Sequence, residues 1–65
     1  MDWVKFGQQL KKSREKKGLK QEDVARLVNM TPAMISCLEN ASKKTNVDAL
    51  VMISKAMDID LLELF

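Results

Sequence analysis

The chain has 65 residues, 46% hydrophobic and 31% charged, with a formal net charge of +2. That length makes one small domain (residues 1–65) with no room for a deep substrate cleft, and the composition is that of a folded segment rather than a disordered one. His is absent and Cys37 is the sole cysteine, which excludes an intrachain disulfide and a Cys/His metal cluster and leaves no cofactor to expect. There is also no apolar run of about 18 residues to span a membrane, and no apolar signal-peptide core at the N-terminus, so the expectation is a cytoplasmic protein.

Helical periodicity runs the length of the chain. A first helix is predicted from Asp2 to Lys17, capped by Asp2, with Phe6 and Leu10 on one face and Gly18 as its stop. Trp3 is read as its anchor. A short second helix follows from Gln21 to Val28, with Glu22 and Asp23 in its first turn and Val24, Leu27 and Val28 as its apolar side. Asn29 ends it, since Asn tolerates the left-handed conformation next best to Gly. Thr31 and Pro32 mark the start of a third helix, as cap and first helical position, and it runs to Glu39 with Ile35 and Leu38 facing inward. After a polar loop, a fourth helix from Asn46 to Met57 carries an apolar stripe of Val47, Leu50, Val51, Ile53, Ala56 and Met57. Asp58 breaks it, and Asp60 caps a last turn with Leu61, Leu62 and Leu64. The expected fold is a compact, all-α bundle of five short helices.

Charge is unevenly spread. Lys5 to Lys20 holds seven cations and one anion, a local charge of +6, whereas Val47 to Phe65 holds one cation and four anions, −3. A basic first third suits a polyanion on one face. Two short helices joined by Asn29-Met30-Thr31, spanning about residues 21–39, match a helix-turn-helix, in which the second helix offers its N-terminal residues to the major groove. The outward side of that helix is Pro32, Ala33, Ser36 and Cys37. A solvated helix normally carries Lys, Glu or Gln there, so an uncharged, unbulky face points to close docking.

At these residues the chain resembles the lambda-repressor-like family, also called the Cro/repressor or xenobiotic-response-element type. The matching pieces are Phe6-Gly7-Gln8-Gln9-Leu10, Arg14-Glu15-Lys16-Lys17-Gly18-Leu19, Gln21-Glu22-Asp23-Val24-Ala25, Met34-Ile35-Ser36-Cys37-Leu38-Glu39, and Leu50 to Asp58. The resemblance implies a repressor or other transcriptional regulator that binds a pseudo-palindromic double-stranded DNA operator as a homodimer. It implies a base-reading face of Thr31, Pro32, Ala33, Ser36 and Cys37. Gln21 and Asn40 would contact phosphate, and Arg14 and Glu39 would form a structural ion pair between the first and third helices. Lys20, Lys43 and Lys44 flank these positions and would add phosphate contacts that release counterions. The dimer contact would lie in the C-terminal third, where Leu61, Leu62, Leu64 and Phe65 offer an apolar patch. The family usually has Gly at positions 29 and 41 and often Pro at 45; Asn29, Ala41 and Thr45 stand there. Pro32 and Ala33 cannot make bidentate bonds to purines, so modest direct readout, helped by DNA shape, is expected.

Two other readings stand beside this one. A small helix-turn-helix protein can act as an antitoxin or adaptor that binds a protein partner, here through the acidic tail and Phe65. The stretch Glu39-Asn40-Ala41-Ser42-Lys43 also resembles the controllers of restriction–modification operons, a subtype of the DNA-binding reading. Catalysis is not expected. Asp58 and Asp60 flank Ile59 as a helix break and cap rather than an acid/base pair, and Gly7 and Gly18 form no phosphate loop.

Overall fold

The computed structural model describes all 65 residues: four α-helices and a closing 3-10 turn. Helix α1 spans Trp3–Lys16, α2 Gln21–Leu27, α3 Pro32–Glu39 and α4 Val47–Met57, and the 3-10 turn is Leu61–Leu64. Local chemistry explains each start. The side chains of Asp2, Thr31 and Asn46 accept the backbone N–H of Lys5 (2.9 Å), Met34 (3.1 Å) and Ala49 (2.8 Å) at the heads of α1, α3 and α4. At α2 the Asp23 carboxylate reaches back to the Lys20 N–H at 2.7 Å, which is the third-position half of a capping box. The stops are left-handed residues: Gly18 (φ 71°), Asn29 (φ 55°), Ala41 (φ 58°) and Asp58 (φ 56°).

Asn29 and Ala41 therefore keep a backbone conformation that glycine adopts most easily. Asn does so at small cost. Ala has no polar group to offset the clash of its Cβ, a penalty of roughly 1–2 kcal/mol, of which glycine's larger unfolded-state entropy returns part. Ala41→Gly is expected to stabilise the fold by about 0.5–1 kcal/mol, read as a rise of a few degrees in the thermal midpoint. A fall in the midpoint would show that the alanine conformation is unstrained.

The core forms where α1 and α2 both pack on α3, with α4 and the 3-10 turn closing against α1. Phe6, Leu10, Val24, Ile35, Leu38, Ile53, Met57 and Leu64 are fully buried within it. Trp3 packs edge-on to Phe6, ring centroids 5.9 Å apart at 88°, so the first turn of α1 is tied to the core. At the α1–α3 crossing Gly7 is buried, and a Cβ there would sit 2.6 Å from the Glu39 carbonyl oxygen and overlap that of Leu38. The C-terminal end of α1 is held to the end of α4. Ser13 Oγ donates to the Met57 carbonyl and Lys17 Nζ meets Asp58 Oδ2 at 2.8 Å. That hydrogen bond, then the charge of Lys17, holds the Asp58 carboxyl below its ordinary range. The Asp2 N–H donates to the Leu64 carbonyl at 2.7 Å and Lys5 Nζ to that of Glu63 at 3.2 Å, so the last turn is fastened to the first helix.

Four expectations need correction. The fifth element is a 3-10 turn of four residues, too short to close α-helical bonds between Asp60 and the chain's last residues. In α2 the buried side is Val24 and Ala25, continued by Val28 just past its end, while Leu27 is exposed. At 100° per residue Leu27 lies roughly 100° from the middle of that arc. In α4, Val47 is exposed and the buried stripe is Leu50, Ile53, Ser54 and Met57, because the first turn of α4 extends past the edge of the core. Leu64 is not surface: it is 2% exposed, drawn inward by the bond between its carbonyl and Asp2.

Candidate nucleic-acid interface

The turn between α2 and α3 is short and fully specified. The Val28 N–H bonds to the Val24 carbonyl (3.1 Å), Asn29 turns left-handed, the Met30 N–H returns to the Ala25 carbonyl (2.8 Å) and Thr31 caps α3. Met30 and Met34 pack partly buried against the core on either side of this cap. Helix α3 is thus presented at a fixed angle to α2.

Around α3, Ile35 and Leu38 are fully buried, whereas Pro32 and Ala33 are exposed and Ser36 and Cys37 half-buried. With 100° per residue the latter four occupy an arc of roughly 140°, opposite the two buried residues. Thr31 lies exposed at the head of this arc; its Oγ accepts from Met34, which leaves its proton free to donate. Cys37 is a free thiol, and its carbonyl accepts from Ser42 Oγ at 3.3 Å. One continuous, uncharged surface of small side chains therefore runs along α3.

The other end of α3 is anchored by a charged cluster. Arg14 Nε lies 2.6 Å from Glu39 Oε2 and a second guanidinium nitrogen 3.1 Å from Oε1, with the side chains 12% and 2% exposed. A third Arg14 nitrogen donates to the Leu19 carbonyl at 2.9 Å. The hydrogen bond to Glu39 raises the Arg14 pKa above its ordinary value, against the opposing effect of burial. Gln21 joins the cluster, its Nε2 donating to Glu39 Oε1 at 3.1 Å. The head of α2 is thereby brought against the tail of α3, next to the exposed Asn40. This contact crosses 18 residues of sequence, and nothing in local pattern signals it. The close approach at Gly7 is likewise not part of any sequence motif. The signal that marks it is a glycine in a helix interior, which costs about 1 kcal/mol against alanine and so implies a packing reason.

Lys20, Lys43 and Lys44 are exposed, and none forms an ion pair, unlike Arg14, Lys17 and Arg26. Of the four C-terminal apolar residues, Leu62 (85%) and Phe65 (79%) are exposed, Leu61 is half-buried against the core and Leu64 is inside. Asp58 and Asp60 have structural tasks, pairing with Lys17 and capping the 3-10 turn. No helix is long and apolar enough to cross a membrane.

A helix-turn-helix family model matches residues 10–64. The chain belongs to the lambda-repressor-like helix-turn-helix family. Among solved structures, this helix-turn-helix protein is similar to the restriction-modification controller protein C.AhdI from Aeromonas hydrophila, at 33% identity and a TM-score of 0.83, over 97% of this chain and 96% of that one. No curated protein sequence matches it. Family, fold and neighbour together identify a DNA-binding transcriptional regulator. Family and fold are those of DNA-binding regulators, which are not enzymes.

Proposed function

We propose that this single-domain helix-turn-helix protein is a cytoplasmic regulator that binds a short pseudo-palindromic operator as a homodimer and represses by blocking polymerase. The observation that carries the reading is the uncharged arc of Thr31, Pro32, Ala33, Ser36 and Cys37, opposite the buried side of α3 and flanked by unpaired cations. Gln21, bonded to Glu39, and Asn40, the residue that follows Glu39, are assigned to phosphates, with Lys20, Lys43 and Lys44 adding charge. Such contacts fix the register in which α3 meets base edges. Leu62 and Phe65 are the exposed apolar residues for the dimer contact, with Leu61 at its edge. Two-fold pairing would set half-sites about 34–36 Å apart. The 33% identity to a controller protein favours one subtype, control of a restriction–modification operon.

Selection from a random DNA pool, with affinity then measured at two salt concentrations, tests this. The expected result is a short enriched palindrome whose binding weakens steeply as salt rises. No enriched site would sink the reading and favour a protein partner, as in an antitoxin or adaptor. On the selected site, Gln21→Ala should weaken binding to all sequences by about tenfold. Ser36→Arg should instead change which base is preferred, since Arg pairs bidentately with guanine. Unchanged binding in both variants would place the docking face elsewhere.

A further inference from the structure

The Glu39 carboxylate does more than close an ion pair. Its Oε1 is shared: one Arg14 nitrogen and the Gln21 side-chain Nε2 both donate to it at 3.1 Å, while Oε2 takes Arg14 Nε at 2.6 Å. The acceptor side of the cluster cannot move. Glu39 is buried on α3, and Arg14 is held from behind by its third bond, to the Leu19 carbonyl. A carboxylate only accepts hydrogen bonds, so it selects one end of the Gln21 amide, the NH2 end, and excludes the carbonyl. An unheld glutamine at a helix start samples many rotamers, and half of its amide orientations would turn a carbonyl oxygen toward an anion. Here one N–H is committed to Glu39 and the other is left to donate.

We propose that Glu39 is a positioning residue for DNA binding: its buried carboxylate, fixed by Arg14, holds the Gln21 amide in the one orientation that offers its second N–H to a phosphate. The inference rests on the assignment of Gln21 to a phosphate and adds how that contact is preorganised. A fixed donor binds an anion without first losing rotamer freedom, and a hydrogen bond to a charged acceptor is of the stronger kind. The recognition helix and the phosphate clamp are then one unit, since Glu39 is the last residue of α3.

The test is a double-mutant cycle on the selected operator, with Gln21→Ala, Glu39→Gln and both together. It is combined with duplexes carrying a single neutral methylphosphonate at successive linkages. All measurements are made well below each variant's thermal midpoint. Each single variant is expected to lose about tenfold in affinity, and the double variant no more than either, because Gln21→Ala removes the held donor and the amide put in place by Glu39→Gln, which donates as well as accepts, no longer selects the NH2 end of Gln21. One linkage should be sensitive to neutralisation in the wild type and insensitive in both Gln21→Ala and Glu39→Gln. Multiplying losses, or full sensitivity retained at that linkage in Glu39→Gln, would overturn the proposal and leave Glu39 as a purely structural anchor. If Gln21→Ala itself binds as well as wild type, the phosphate assignment fails, a result distinct from the first. Should Glu39→Gln not fold, the paired change Arg14→Met with Glu39→Met removes both charges at similar volume and is expected to show the same insensitive linkage.

Discussion

Replacing Gly7 with alanine is expected to destabilise the protein by about 3 kcal/mol, the upper part of the usual range for overpacking. The new Cβ would lie 2.6 Å from the Glu39 carbonyl oxygen and 3.0 Å from its carbon, and overlap the Leu38 carbonyl as well. These are backbone atoms at the end of α3, and they cannot rotate aside as a flexible side chain would. Helices α1 and α3 must separate, which loosens Phe6 and Leu10 against Leu38. Helix propensity predicts the opposite sign, since alanine in a helix interior is favoured over glycine by about 1 kcal/mol. Thermal unfolding followed by circular dichroism decides between the two. A fall of roughly 12 °C or more supports the close crossing; an unchanged or raised midpoint would show that the helices separate at little cost.

Truncating Arg14 to alanine should cost still more, about 3–5 kcal/mol, because it leaves a buried carboxylate without its cation. Glu39 is 2% exposed and would keep only the neutral Gln21 amide, while the Leu19 carbonyl also loses its donor. A domain of this size has only a few kcal/mol in hand, so Arg14→Ala is expected to be largely unfolded at 37 °C. Arg14→Met with Glu39→Met should recover most of the loss, since no charge is stranded. Urea denaturation of both variants at pH 7 checks this. An Arg14→Ala variant within 1 kcal/mol of wild type would mean that water reaches Glu39 and screens it.

Much of the fold is legible in the sequence because its boundaries are local. Asp2 and Thr31-Pro32 cap from their own positions, Gly18 stops α1 from its own, and Phe6, Leu10, Ile35 and Leu38 mark inward faces by spacing alone. What spacing does not give is how wide a buried stripe is on a short helix. Leu27 is apolar but lies outside the buried arc, and Val47 is near the stripe in phase, yet α4 begins past the edge of the core and leaves it uncovered. The outward arc of α3 is readable as the complement of Ile35 and Leu38. The Gln21–Glu39 bond and the overlap at Gly7 are not, since both arise only when helices distant in sequence meet on α3.

Helix α3 is held at its tail and along its inner side. Its tail is pressed beneath Gly7 and chained through Glu39 to α1 and α2, and its inner side is buried through Ile35 and Leu38, while the outer arc of Pro32, Ala33, Ser36 and Cys37 faces away from all of these. Substitutions at the exposed Ala33 therefore fall in the class that changes stability by no more than about 0.5 kcal/mol. If the arc reads bases as proposed, the scaffold and its target choice can drift independently. On the proposed reading of the arc, descendants of such a gene can change operators by point mutation without passing through unfolded intermediates, and a designer can randomise the arc while leaving the mount untouched.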